Sequence, residues 1–222
     1  MVWRKGKAGE SNPSRVFTGR LGFALIELMV VIAIGVILTT FSLVSFVQIG
    51  RGSNLTNTGR DISDLLEQAR AYAMAHNTYA WVGFAKSGTD SLLVGVVASR
   101  NGNSNPAPAD LVRIDRVRSF DRVRVVSLDS SGARPAAESD GQIANLTSAI
   151  LPFSIEGGRP ITFDSQVIQF DSRGECRIAP DQPYRIAELG LQEVVGDQVR
   201  NVDNYVAIQI GGLSGAVTFY QR

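Results

Sequence analysis

Cysteine and histidine are nearly missing from this chain of 222 residues: Cys176 and His76 stand alone. A single cysteine excludes an intrachain disulfide and any cysteine-based metal site, so stability has to come from packing. A single histidine leaves the usual catalytic dyads and triads one possible base, and no nucleophile stands beside it in sequence. The inventory therefore points away from an enzyme, and it offers no metal or cofactor site. Net charge is also close to absent, at +1, which gives no global electrostatic reason to expect a nucleic-acid partner. The balance hides an asymmetry. Residues 1–22 carry Arg4, Lys5, Lys7, Arg15 and Arg20 against Glu10, five cations less one carboxylate, so this segment holds +4 and the remainder −3.

What the chain does have is one long apolar run. From Phe23 to Ile49 it reads FALIELMVVIAIGVILTTFSLVSFVQI, with Glu27 as the only ionisable side chain. As a helix this run is about 40 Å long, enough to span a hydrocarbon core of roughly 30 Å. The basic segment in front of it would keep the N-terminus in the cytoplasm. The chain is therefore expected to cross a membrane once, with its bulk facing outward. An ordinary secretory signal places its apolar region before the cleavage site. Here the order is reversed, so a cut at Gly22 would leave the apolar helix on the mature chain.

That arrangement, Gly22-Phe23-Ala24-Leu25-Ile26-Glu27-Leu28 followed by an unbroken apolar helix, resembles the cleavage and methylation motif of type IV pilins and type II secretion pseudopilins. The resemblance implies a basic leader over 1–22 removed by a prepilin peptidase between Gly22 and Phe23, and N-methylation of Phe23. It implies the bacterial inner membrane as the location, crossed once, with the C-terminal domain in the periplasm. It also implies other pilins or pseudopilins as partners along the N-terminal helix, and a pairing of Glu27 with the Phe23 amine of a neighbouring subunit that sets axial register. Glycine at 22 suits a protease substrate because no side chain obstructs an extended backbone. An unpaired carboxylate at Glu27 would cost about 2.5 to 3.5 kcal/mol on insertion scales, which a partner amine would offset. The competing reading is a plain signal anchor that is never cut, with Glu27 reaching to the cytoplasmic interface. The kinking proline common in the family is missing, although Gly35 and Thr39-Thr40 can soften the helix.

Beyond the anchor (23–49), Gly50, Gly52, Ser53 and Asn54 interrupt the apolar run. Leu55, Ile62, Leu65, Leu66, Ala69, Tyr72 and Ala73 then recur at helical spacing among Asp61, Asp64, Glu67 and Arg70, which predicts an amphipathic continuation of the helix over 50–77, ending near Asn77. From Thr78 the signals are for strands: 79–86, 91–98, 111–118, 122–128, 150–155, 167–170, 205–210 and 216–221, with 186–195 ambiguous and better read as strand. Residues 101–109 and 129–141 read as loops. The expected fold class is α+β, a long N-terminal helix, anchor half plus amphipathic half, packed on a mostly antiparallel β domain over 78–222.

Two stretches resemble one branch of the family. Leu66-Glu67-Gln68-Ala69-Arg70-Ala71-Tyr72-Ala73 looks like the L-x-x-A-R-x-x-A helix of minor pseudopilins of the H type. Val167 to Gly174 with the closing segment Ile208 to Thr218 resembles that branch's paired C-terminal hairpins. The resemblance implies a non-enzymatic minor pseudopilin of a type II secretion pseudopilus or, alternatively, a minor type IV pilin serving pilus assembly, adhesion or DNA uptake. Arg113, Arg116, Arg118, Arg122 and Arg124 crowd one predicted hairpin and would suit phosphate, but Asp115 and Asp121 among them point to cross-paired, solvated faces. Relatives that bind DNA use arginines near the C-terminal turn, where this chain has only the terminal Arg222. Asp164, Asp171 and Glu175 match no EF-hand spacing and read as turn formers. His76 reads as a helix-end residue, Cys176 as a small buried side chain, and Asn54-Leu55-Thr56 as a chance acceptor pattern.

Overall fold

A computed structural model describes residues 25–128, 140–156, 160–180 and 184–221, with side chains between 38 and 53 outside that description. The one α-helix among the described residues, α1, covers Leu25–Ala75. The chain divides into two compact units, Met1–Val47 and Gln48–Arg222. Helical side chains are described over two short stretches, 25–37 and 54–75, and these differ completely. Every residue of the first is exposed, whereas the second buries Leu55, Thr58, Gly59, Ile62, Leu65, Leu66, Ala69 and Ala73 on one face, the i, i+3, i+4 repeat of an amphipathic helix.

Two sequence-based expectations are corrected here. The α+β class, with one long N-terminal helix packed as a unit on a β domain, does not hold. Only the short stretch 54–75 enters the core, and the rest of the described chain is mostly antiparallel sheet. The single-pass inner-membrane location is not supported either, because among the described residues no helix is long and apolar enough to cross a membrane. The apolar side chains described at 25–37 cover about 20 Å of helix at the usual rise, short of a hydrocarbon core of about 30 Å. The second stretch carries Arg60, Asp61, Asp64, Glu67 and Arg70.

The strands form two larger sheets. In the first, β1 (Ala80–Ser87) and β2 (Ser91–Ser99) make a tight antiparallel hairpin whose turn is opened by Gly88 at a φ of 64°. β9 (Gln166–Phe170) pairs with β1, and β10 (Cys176–Arg177) with β9; β3 (Leu111–Arg113) and β4 (Arg118–Asp121) both pair with β2. In the second, β11 (Ile186–Val195) is central. It pairs antiparallel with β13 (Tyr205–Gly211), β12 (Gln198–Val199) and β5 (Val123–Val126), and parallel with β6 (Gly141–Gln142). β14 (Val217–Gln221) closes the sheet on β13.

One core joins the helix to both sheets. Ile62, Leu65 and Leu66 meet Val82, Val94, Val96 and Ile168 of the first and Leu189, Leu191, Val206 and Ile208 of the second. The far face of the first sheet is covered separately by a short hairpin, β7 (Phe153–Ile155) and β8 (Ile161–Phe163). Gly83 and Gly95 stand directly opposite each other across β1 and β2. A Cβ at either would lie 2.7 Å from the Phe163 ring, so these glycines let the hairpin settle on the sheet. Phe163 in turn stacks on Phe153 at 4.8 Å.

On the side of the second sheet away from the helix lies a polar row. Glu188 is fully buried on β11, and its carboxylate accepts amide N–H bonds from Gln142 on β6 and from Gln209 on β13, the latter at 2.8 Å. No cation among the described residues pairs with it.

Sequence and structure part again over 111–124. The predicted strand 111–118 breaks into β3 and β4, and Arg122 takes a left-handed φ of 58° where the chain leaves the first sheet for the second. The five arginines therefore do not share a hairpin. β6, β8, β10 and β12 carry too few residues to show a period of two.

Candidate assembly surface

Leu25, Ile26, Leu28, Met29, Val30, Val31, Ile32, Ile34, Val36 and Ile37 follow one another around the helix. Their exposure runs from 51% at Val30 to 77% at Leu25. A helix apolar on every side belongs in an interior, and a contiguous exposed apolar patch of this extent marks an interaction surface. Glu27 is exposed in the first turn, where a carboxylate complements the positive end of the helix dipole by about 0.3 to 1 kcal/mol. The geometry thus offers helix-on-helix packing with one negative charge near its start. Gly22 and Phe23 lie outside the described residues.

The Leu66 to Ala73 stretch has a local task. Leu66, Ala69 and Ala73 point into the core, while Glu67 uses both carboxylate oxygens. One accepts the backbone N–H of Val217 at 3.2 Å and the other the Arg70 guanidinium at 3.3 Å. This segment therefore ties the helix to β14. The two hairpin stretches at 167–174 and 208–218 lie in different sheets: β9 leads into β10, and β13 into β14.

Two of the five arginines are spent on structure. Arg118 donates to Asp115 at 2.9 and 3.1 Å. Partial burial tends to raise the Asp115 pKa, but the Arg118 bonds and the Arg116 backbone N–H outweigh it and hold the carboxyl below its ordinary value. Arg124 reaches Asp197 at 2.5 Å and the Thr89 carbonyl at 3.2 Å, and Lys86 meets the same Asp197 at 2.7 Å. The Lys86 and Arg124 hydrogen bonds depress the Asp197 pKa. This aspartate bridges β1 and β5, a link between the two sheets that nothing in its turn sequence announced.

Asp171 accepts the backbone N–H groups of Arg173 and Glu175 at 2.8 and 2.9 Å, in a turn where Gly174 sits at a φ of 84°. Asp164 takes the Ala149 N–H on its own carbonyl. No group of three metal-ligating side chains forms among the described residues. Cys176 is buried and its thiol is pushed up to about 12 by desolvation, leaving it inert near neutrality. His76 is exposed with its ring 4.2 Å from that of Tyr72. Asn54 is exposed and reaches the Asp121 carbonyl at 3.5 Å.

Sequence reasoning also missed Asp140, which receives the N–H groups of Arg185 and Ile186 at 2.8 and 2.7 Å and so fixes the start of β11. Burial pushes its pKa up, the two backbone bonds pull it down, and the net shift is downward. Compared with protein-family models, curated proteins and solved structures, the chain matches none.

Proposed function

We propose that the chain is a non-enzymatic filament subunit of the pseudopilin kind, a minor component of a type II secretion pseudopilus, assembled through its N-terminal helix. One observation carries this reading: a helical stretch apolar on all sides and exposed over 25–37 directly follows the Gly22-Phe23 motif and holds Glu27 as its only charge. Equivalent helices from neighbouring subunits would cover that surface. The new amine of Phe23 would then meet the Glu27 carboxylate of the next subunit, stabilising one axial offset over the others. The Gln48–Arg222 unit folds around its own core and is free to present strands and loops to other components.

The test is the intact mass and N-terminal residue of the full chain produced with and without a prepilin peptidase. A peptidase-dependent start at Phe23, heavier by one methyl group, is the expected result. A chain that keeps Met1 in both cases would overturn the proposal.

A further inference from the structure

We infer that the groove between β3 and the β7–β8 hairpin is a docking site for an extended segment of a partner protein, added as a strand to the edge of β3 and carrying a carboxylate that meets Arg113. The inference does not depend on the filament reading. The groove has a volume of about 930 Å³. It is lined by Val97, Leu111, Phe153 and Ile155, by Pro106 and Pro108, and at its β7 end by Glu156.

Three observations identify the occupant. First, β3 is an edge with unused main-chain groups. Its register opposes Val112 to Ala98, and the flanking bonds run from Arg100 N–H to the Asp110 carbonyl at 2.8 Å and from Ile114 N–H to the Val96 carbonyl at 3.0 Å. By the alternation of an antiparallel ladder, Arg113 N–H and C=O and the Leu111 C=O face away from β2. The Leu111 N–H is taken by Pro108. Second, the glycines under Phe163 seat the hairpin over Gly83 and Gly95, and the groove runs between it and β3 with the buried Val97 in its lining. A groove beside an open edge suits strand addition, in which main-chain bonds give affinity and side-chain pockets give selectivity. Third, Arg113 is exposed, stands opposite Val97 on this same face, and its side chain forms no ion pair or hydrogen bond among the described residues. Arg118 and Arg124 are held by Asp115 and Asp197, and among the described residues Arg113 is the one cation that lines the groove, which offers this guanidinium to a ligand's carboxylate.

The probe is a capped ten-residue peptide of alternating valine and threonine with one central aspartate, titrated into the full chain by fluorescence anisotropy. Saturable binding is expected. It should weaken on the order of tenfold with Arg113→Glu and with a lysine-for-aspartate probe. It should vanish when alternate backbone nitrogens of the probe are methylated, and the Arg113 amide should gain protection from hydrogen exchange in the complex. Because Arg113 is exposed, an unchanged thermal melt of the variant shows that its fold is intact. Absence of binding, or binding indifferent to both Arg113→Glu and backbone methylation, would overturn the inference. So would concentration-dependent dimerisation abolished by Arg113→Glu, which would make the occupant a second copy.

Discussion

The two described stretches of α1 use similar apolar residues to opposite ends. Over 54–75 most of the apolar positions fall on one face, and Leu55, Ile62, Leu65, Leu66, Ala69 and Ala73 there are buried. Over 25–37 they fall on every face and none is covered. Apolar content therefore says little by itself. The spacing of the charges among the apolar residues separates a stretch that completes its own core from one that needs a neighbour.

Matched substitutions in the two stretches sharpen that contrast. Leu66→Ala empties a fully buried site and should cost about 2 to 5 kcal/mol of unfolding free energy, while Ile32→Ala should leave the Gln48–Arg222 unit within about 0.5 kcal/mol of the parent. Urea denaturation of both variants makes the comparison, and equal losses would break it. Gly59→Ala comes next. Its Cβ would lie 2.7 Å from both Phe219 and Val206, so overpacking of about 1 to 3 kcal/mol should outweigh the helix propensity gained. Gly35→Ala meets nothing within 4 Å and should raise local helicity by up to about 1 kcal/mol, seen as slower amide exchange.

The two glutamates form the third pair. Glu67→Ala removes the acceptor for the Val217 N–H and should cost about 1 kcal/mol, with Glu67→Gln recovering most of it through its amide oxygen. Glu27→Ala should leave thermal unfolding and peptidase cleavage unchanged while impairing incorporation into filaments. Normal incorporation would remove the register pairing from the proposal.

The smallest effect concerns acid. Asp140, Asp115 and Asp197 all have folded-state pKa values lowered from 3.8. Each contributes stability that is fully present above the unfolded-state value and is lost as pH falls through the folded one. The unit should thus hold its stability down to about pH 4 and lose it below. Asp140→Asn, which cannot titrate, should flatten that acid limb. An acid limb unchanged in this variant would show that Asp140 does not contribute to it.

Much of the strand order was legible because long runs such as 80–87, 91–99 and 205–211 carry strong β formers between turn residues. The amphipathic face of 54–75 was legible for the same kind of reason, a clear period. The packing of α1 was not, since continuity of a helix in sequence does not decide which of its residues find a surface. The cross-sheet role of Asp197 and the anchoring of β11 by Asp140 were invisible because each joins segments remote in the chain, by 111 positions for Lys86 and Asp197 and 46 for Asp140 and Ile186. The burial of Glu188 was invisible for the same reason, its amide partners Gln142 and Gln209 lying 46 and 21 positions away.

Glu188 also makes the folding of the second sheet self-correcting. If β11 slipped by one residue against β13, Glu188 would stand opposite Ile208 or Ile210 instead of Gln209 and would turn toward the helix, into the apolar interior. A carboxylate stranded there without its amides would cost about 3 to 5 kcal/mol, a large share of the stability of a domain this size. Misaligned hairpins would therefore reopen more readily than they consolidate. The buried Glu188 thus acts as a register check on this sheet.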